Sequence, residues 1–281
     1  GSDKIGGSTV NATLSTEGLA VTLVFIDSTQ GWLVTDNGTQ DTAPTAAYVV
    51  ATGGTITTSG NFKIHTFTGP GTLCVSCAGN SGGSNTVSYM VIAGGGGGAN
   101  NRGGGGGAGG FRESKAASDS YTASPLNATS GPTYNLAVPV QGYPITVGAG
   151  AAALGFPPET SGNDGSNSIF STITSAGGGG GGYGAVGRNG GSGGGGSYPG
   201  PFSAGGSGNT PPVSPPQGNN GGTSSSTNSG SGGGSAGAVG TASSPCTAGP
   251  GGAGVASSIN GTPTLRAGGG GGSGTSGGGF G

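Results

Sequence analysis

Long runs of glycine limit the possible folds of this chain more than any other feature. The segment MVIAGGGGGANNRGGGGGAGGF, residues 90–111, carries twelve glycines between Gly94 and Gly110, and 75 of the 281 residues are glycine. Ordering a glycine costs roughly 0.5–1 kcal/mol more than ordering an alanine. The runs can therefore be ordered only if many backbone contacts offset that cost.

Several structures use glycine, and most of them do not fit these runs. A phosphate-binding loop needs the frame G-x-x-x-x-G-K-[ST] before a helix, but no such Lys-Ser/Thr pair follows the runs and no ten-residue window favours a helix. Collagen needs glycine at every third residue, a period that these runs do not keep. Two alternatives remain: disordered linkers, or extended polyproline-II runs that hydrogen-bond to neighbouring runs.

Three details favour ordered packing. Residues that interrupt the runs are mostly Ala, Ser and Asn, the runs carry almost no charge, and aromatic residues recur at their edges: Phe111, Tyr183, Tyr198, Phe202 and Phe280. We therefore predict packed runs at 94–98, 103–110, 177–182, 190–196, 205–208, 230–237, 249–254 and 268–281. Residues 211–234, rich in Pro, Gly and Ser, are the expected exception and would form an exposed loop.

The remaining segments alternate apolar and polar residues with the period of two that is typical of strands. In residues 1–40 we expect Trp32 to anchor a small apolar face, with stacking on a sugar as the alternative. The inward positions predicted in the next module are Ile56, Phe62, Ile64, Phe67, Leu73, Val75, Val87, Tyr89 and Val91. Further strands are predicted within 134–139, 143–154 and 167–176.

The predicted fold is all-β. Small β-sandwich-like modules precede a glycine-rich domain whose runs pack in a polyglycine or polyproline-II arrangement. The predicted divisions are a small β-module at 1–40, a connector at 41–47, a β-strand module at 48–93 and a glycine-rich domain with strand insertions at 94–281.

Composition excludes several classes of function. Charged residues make up 6 % of the chain and the net charge is −2, which argues against nucleic acid as a partner. No apolar run approaches the roughly 20 residues that span a bilayer. Cys74-x-x-Cys77 lies in a strand-like segment and His65 stands alone on a predicted outer face, so we expect no metal and no cofactor. The nearest acidic pairs, such as Glu113 and Asp119, form no acid/base frame, so we expect no enzyme.

Several segments resemble a known family. GSDKIGGSTVNATLSTEGLAVTLVFIDSTQGWLVTDNG is similar to a small β-module of tail-fibre and structural proteins of tailed bacteriophages, especially marine and cyanobacterial ones. SYMVIAGGGGGANNRGGGGGAGGFRES, YPITVGAG and GNDGSNSIFSTITSAGGGGGGY resemble the glycine-rich domain that often follows it. A looser similarity, in composition and alternation, links the chain to polyglycine-II tail-fibre adhesins. The module usually has further strands upstream, so we expect the chain to be a fragment of a longer protein.

This resemblance implies a virion tail-fibre or adhesin-like protein that projects a rigid domain for host recognition outside the particle. The implied partners are further copies of the chain, with a homotrimer favoured, other virion tail proteins, and a host glycan or outer-membrane protein. Candidate receptor contacts are Tyr121, Phe156, Tyr183, Tyr198 and Phe202, each of which could instead cap the glycine bundle. The alternative function is a decoration or filament-forming protein without a receptor, and an ice-binding protein is a third.

Overall fold

The computed structural model describes residues 4–9, 21–35, 46–80, 82–155, 158–197, 203–225, 228–275 and 278–281. These residues form strands, turns and extended runs and include no helix, so none that could span a membrane. The all-β prediction is confirmed. The strands are β1 (Leu23–Asp27), β2 (Gly31–Val34), β3 (Val49–Thr52), β4 (Thr55–Ser59), β5 (Phe62–Thr66), β6 (Gly71–Ala78), β7 (Thr86–Val87), β8 (Tyr89–Ile92), β9 (Phe111–Ser114), β10 (Leu136–Ala137), β11 (Gly142–Thr146), β12 (Ser168–Phe170), β13 (Ile173–Ser175), β14 (Val255–Ser257) and β15 (Thr264–Arg266).

The chain divides into two compact units. The first consists of 1–51, 74–87 and 137–141, and the second of 52–73, 88–136 and 142–281. In the first unit β1 and β2 form an antiparallel hairpin, and β3 neighbours the Cys74–Ala78 part of β6. Cys74 and Cys77 are free cysteines on β6, as the strand prediction requires.

Trp32 and the apolar residues of β1 are exposed, which corrects the prediction for Trp32. Phe25 and Trp32 pack edge to face with their ring centroids 5.5 Å apart. Even so, Trp32 and every large apolar side chain of β1 are more than a third exposed. A two-stranded hairpin has no second layer of its own to cover both faces, so Trp32 anchors no buried face in the described residues.

The strands of the second unit form small antiparallel sheets. β4 pairs with β5, β8 with β9, β14 with β15, and β11, β12 and β13 follow one another. Phe111, Ala236 and Val255 form a small buried cluster with Met90, Ile92, Leu126 and Ala267 against it. The predicted inward positions hold for Leu73, Val75, Tyr89 and Val91, which are buried, but are wrong for Ile56 and Phe62, which are exposed. The β4–β5 hairpin leaves these two side chains uncovered.

His65 belongs to this hairpin and is half-buried, with its Nδ1 2.8 Å from the Gly53 carbonyl oxygen. It therefore has a backbone partner within its own hairpin.

Glycine runs build the largest part of the second unit. They are held by backbone hydrogen bonds that recur with a period of three residues. The N–H groups of Gly104, Gly107 and Gly110 donate to run 176–182, and those of Gly105 and Ala108 donate to run 229–236, with N···O distances of 2.8–3.0 Å. No glycine of these runs has a positive φ. Three residues per turn with every peptide group directed outward is the polyproline-II arrangement, so the predicted packing is confirmed.

We call this array the lattice. Its runs lie at 93–99, 103–110, 147–153, 161–166, 176–182, 187–190, 191–197, 203–209, 219–224, 229–236, 238–242, 248–254, 267–273 and 278–281. Run 103–110 is bonded to five runs, 93–99, 176–182, 191–197, 229–236 and 267–273, whereas run 229–236 is bonded to six.

The exposed loop that composition predicts for residues 211–234 is found only in part, because Pro211, Pro212, Ser214 and Pro216 are exposed but most described residues from Gln217 onward belong to the lattice. Gly221 and Gly222 donate to Gly206 and Gly232, and Gly230 donates to Ser273. Gln217 is almost fully buried, and its side chain bonds the Ala176 N–H and the Pro211 carbonyl at 2.8 Å. Composition could not reveal this order, because the partners lie in other runs.

Most glycines inside the lattice have no room for a side chain. A Cβ added at Gly104 would lie 2.0 Å from the Gly195 oxygen, and one at Gly181 would lie 1.9 Å from the Gly104 oxygen. Non-bonded carbon and oxygen atoms do not approach so closely. Glycine is therefore required at these positions because a Cβ atom would clash with a neighbouring run, and not because the backbone has a positive φ.

We expect Gly96→Ala to lower the free energy of unfolding by about 1–3 kcal/mol, because the added methyl would lie 2.3 Å from the Gly179 oxygen. Gly95→Ala is the matched control, since its methyl meets no atom closer than 3.8 Å. Thermal unfolding followed by circular dichroism measures both variants. Equal losses of Tm in the two variants would contradict the packing described.

Candidate functional site

The runs alternate in direction, and this places their connections at two opposite ends of the lattice. Gly96 and Ala99 donate to Gly107 and Gly104, so runs 93–99 and 103–110 are antiparallel. The same reasoning applied along the chain brings the described residues of six connecting segments to one end. We call this end the loop face, and its described residues are 100–102, 154–155, 158–160, 183–186, 225, 228, 243–247 and 274–275. The strands β8, β9 and β12–β15 lie at the opposite end, which we call the strand end.

Side-chain hydrogen bonds tie the described parts of the loop face together. Asn100 Nδ2 donates to the Gly155 and Pro158 carbonyls at 3.1 and 3.0 Å, and its Oδ1 accepts from the Thr160 N–H at 2.7 Å. Arg102 Nη1 donates to Asn228 Oδ1 at 3.1 Å. One short Asn-Asn-Arg segment thus connects three loops.

Glu159 is the centre of a second set of contacts at the loop face. The Tyr183 hydroxyl and the Asn101 side-chain amide both donate to its carboxylate. The hydrogen bond from Tyr183, followed by that from Asn101, lowers the pKa of Glu159. The same hydrogen bond raises the pKa of Tyr183. The contact therefore needs an ionised Glu159 and a protonated Tyr183.

The other charges next to this face are balanced. Arg188 and Asp164 form an ion pair at 3.4 Å with both side chains about half exposed, and Asp164 Oδ1 also accepts from the Gly180 N–H at 2.8 Å. Val186 lies between them in sequence and is 61 % exposed. The face therefore offers aromatic, amide and small apolar groups and carries little net charge.

Buried serines replace glycine where the lattice approaches the loop face. Ser231 Oγ lies 3.3 Å from Ser243 Oγ, which lies 3.2 Å from Ser224 Oγ. Ser229 Oγ donates to the Ser244 carbonyl at 2.8 Å. A serine hydroxyl can donate and accept hydrogen bonds within the lattice. These serines therefore attach segment 243–247 to the neighbouring lattice runs.

A buried polar cluster occupies the strand end. Glu113 on β9 is almost fully buried, and its carboxylate accepts from the Ser124 N–H at 2.8 Å and from the Ser257 hydroxyl at 2.5 Å. Burial, followed by the nearby Glu113 charge, raises the pKa of Tyr121. Lys115 Nζ lies 5.8 Å from the Tyr121 ring centroid. This cluster joins β9, the segment after it and β14.

The predicted contact residues are thus separated. Tyr183 lies at the loop face, whereas Tyr121 lies at the strand end with its hydroxyl buried. Phe156, Tyr198 and Phe202 lie outside the described residues. The sequence analysis missed Asn100, Asn101 and Glu159, although the Asn-Asn-Arg interruption of a glycine run was a usable signal.

Comparison with known families identifies the class of this chain. The family described as "Glycine-rich domain" matches residues 78–281, well over half of the chain. The chain therefore belongs to the glycine-rich domain family. Comparison with curated proteins and with solved structures gives no match.

We expect the Tyr183 side chain to titrate at a higher pH than in the Glu159→Gln variant, because loss of the carboxylate removes the cause of its raised pKa. The Glu159–Tyr183 contact is lost at low pH, as Glu159 protonates at its lowered pKa, and at high pH, as Tyr183 ionises. NMR of labelled tyrosine Cζ measures the midpoint. Asp27→Asn, in the β1–β2 hairpin, controls for the loss of one charge, and identical midpoints in all three proteins would contradict the contact.

We expect Glu113→Ala to destabilise the chain by about 1–3 kcal/mol for each buried donor left unpaired, here the Ser124 N–H and the Ser257 hydroxyl. Glu159→Ala removes an exposed carboxylate and should lower stability far less than Glu113→Ala. Urea unfolding measures the difference. If Glu159→Ala lowered the free energy of unfolding as much as Glu113→Ala, burial of the carboxylate would not explain the destabilisation.

Proposed function

We propose that this chain is an adhesin-like structural protein of a tailed-bacteriophage virion and that its loop face binds the host-cell surface. The function is binding without chemistry. The receptor is a surface glycan or an outer-membrane protein, and the chain acts outside the particle as part of a tail fibre.

One observation carries this proposal: the lattice collects the described residues of six connecting segments at one end. Runs held by period-three hydrogen bonds cannot slide individually, so the loops are presented on a rigid base. A rigid base reduces the entropy lost when loops bind a partner. Loops on a fixed scaffold are also where binding residues concentrate in proteins.

The chemistry of the loop face fits a neutral or weakly polar receptor. Tyr183 offers a large contact area at low entropic cost. Arg188 is paired with Asp164, so the face has no strong field for a polyanion. The resemblance of 88–114, 143–150 and 162–183 to phage glycine-rich domains supports the same proposal, as does the similarity in composition to tail-fibre adhesins.

Assembly in the virion follows from the same resemblance. We propose that the first unit, with the exposed apolar residues of β1 and β2, faces other tail proteins or further copies of the chain. A trimer is the arrangement favoured for a fibre, since cyclic symmetry is a usual route to assembly.

Binding of the labelled chain to a panel of marine and cyanobacterial cells tests the function. We expect Val186→Lys to weaken binding by about tenfold or more, a loss of about 1.4 kcal/mol, because it places a charge in the loop face. Val140→Lys is the matched control, since Val140 is equally exposed, at 61 %, and belongs to the first unit. Equal binding by both variants, or binding to no cell, would overturn the proposal.

A further inference from the structure

Among the described residues, the lattice leaves a groove beside run 103–110. The order of the runs around 103–110 follows from their mutual hydrogen bonds: 93–99, 176–182, 191–197, 229–236 and 267–273. Each consecutive pair in this series is bonded, but no bond between described residues joins 267–273 back to 93–99. A run of three residues per turn can have six neighbours, so one place between 267–273 and 93–99 is filled by no described residue. We call it the groove.

The floor of the groove carries backbone N–H groups without acceptors. Run 103–110 donates from Gly104, Gly107 and Gly110 on one side and from Gly105 and Ala108 on a second side. The third side, with Gly106 and Gly109, donates to no atom in the described part of the chain. Both residues are buried. Unpaired N–H groups in buried positions are rare in proteins, and these two lie one turn apart.

The walls of the groove offer carbonyl groups with the same spacing. On run 93–99 the Ala93 and Gly96 carbonyls, and on run 267–273 those of Gly268 and Gly271, accept no hydrogen bond from described residues. Carbonyl groups three residues apart in a polyproline-II run point in the same direction, and in both runs this direction is towards the groove. The groove thus presents three parallel rows of backbone groups: carbonyl acceptors on run 93–99, N–H donors on run 103–110 and carbonyl acceptors on run 267–273. A polyproline-II segment placed in the groove would present a row of carbonyls to the N–H groups and a row of N–H groups to each set of carbonyls.

Several glycines that line the groove have enough space around them for a side chain. A Cβ at Gly95, Gly98 or Gly270 would meet no atom closer than 3.8, 3.6 and 3.3 Å respectively, against about 2 Å in the lattice interior. Intrachain packing therefore does not explain glycine at Gly95 and Gly98. Their lack of side chains leaves space for another backbone at lattice distance.

We propose that the groove binds an extended glycine-rich segment of another polypeptide chain, which completes the sixth place around run 103–110. The carbonyls of that segment accept from Gly106 and Gly109, and its N–H groups donate to Ala93 and Gly96 on one wall and to Gly268 and Gly271 on the other. Glycine is needed in the segment wherever it faces the three runs, for the same steric reason as inside the lattice. This site is independent of the loop face.

A synthetic peptide of nine glycines flanked by lysines tests the groove with the full chain. We expect the peptide to bind and to slow amide exchange at Gly106 and Gly109 by about tenfold or more, since bonded amides exchange only through opening. Gly104 and Gly107, already bonded, should change little. A second peptide with three central valines should not bind, because its side chains would meet the lattice backbone.

Variants of the chain distinguish peptide binding in the groove from non-specific peptide binding elsewhere. Gly95→Ala with Gly98→Ala should fold like the wild type yet lose peptide binding, because both methyls enter the groove. Gly268→Ala is the control: its methyl would point towards Gly252 and Gly254, at 3.9 Å, on the other side of its run. Unchanged binding by the double variant, equal binding of the valine peptide, or no protection of Gly106 and Gly109 would each overturn the proposal. Host-cell binding by the double variant should match the wild type, so the two proposals fail separately.

Discussion

The exclusion of side chains from the lattice interior is the constraint on which the rest of the structure depends. A Cβ at Gly104, Gly106 or Gly178 would lie 2.0–2.1 Å from a carbonyl oxygen of another run, so only glycine permits the runs to reach hydrogen-bond distance. That distance then allows each run to bond several neighbours at once. These bonds offset the entropy that ordered glycine loses. No run could hold this conformation alone, because the polyproline-II conformation has no internal hydrogen bonds.

The strand end supplies the contacts that the lattice cannot. Side chains return where the runs become β8, β9, β12, β13, β14 and β15, and there Phe111 and Val255 form an apolar cluster. Glu113 joins β9 to β14 through the Ser257 hydroxyl. One end of the lattice is thus fastened by ordinary strand packing and by a buried carboxylate. The other end carries loops whose mutual contacts are exposed, and this asymmetry supports assigning recognition to the loop face.

The loop face and the groove have different physical characters. The loop face offers side chains, notably Tyr183, and could therefore distinguish one receptor from another by shape and hydrogen bonding. The groove offers only backbone groups and space. It would therefore recognise a segment by its polyproline-II conformation and by its lack of side chains.

Several features could be predicted from the sequence because each depends on local residue pattern: the absence of helices, the strands at β11–β13, and glycine runs that are ordered. The β14–β15 hairpin was missed, although Asn260-Gly261 is a typical turn signal. Only the tertiary structure decided which runs are neighbours, which loops share one face, and that Tyr121 and Tyr183 lie at opposite ends. The reason is physical: near-identical glycine runs carry no side chains to specify register, and the bonds that do so join distant residues, as between Ser273 and Gly103.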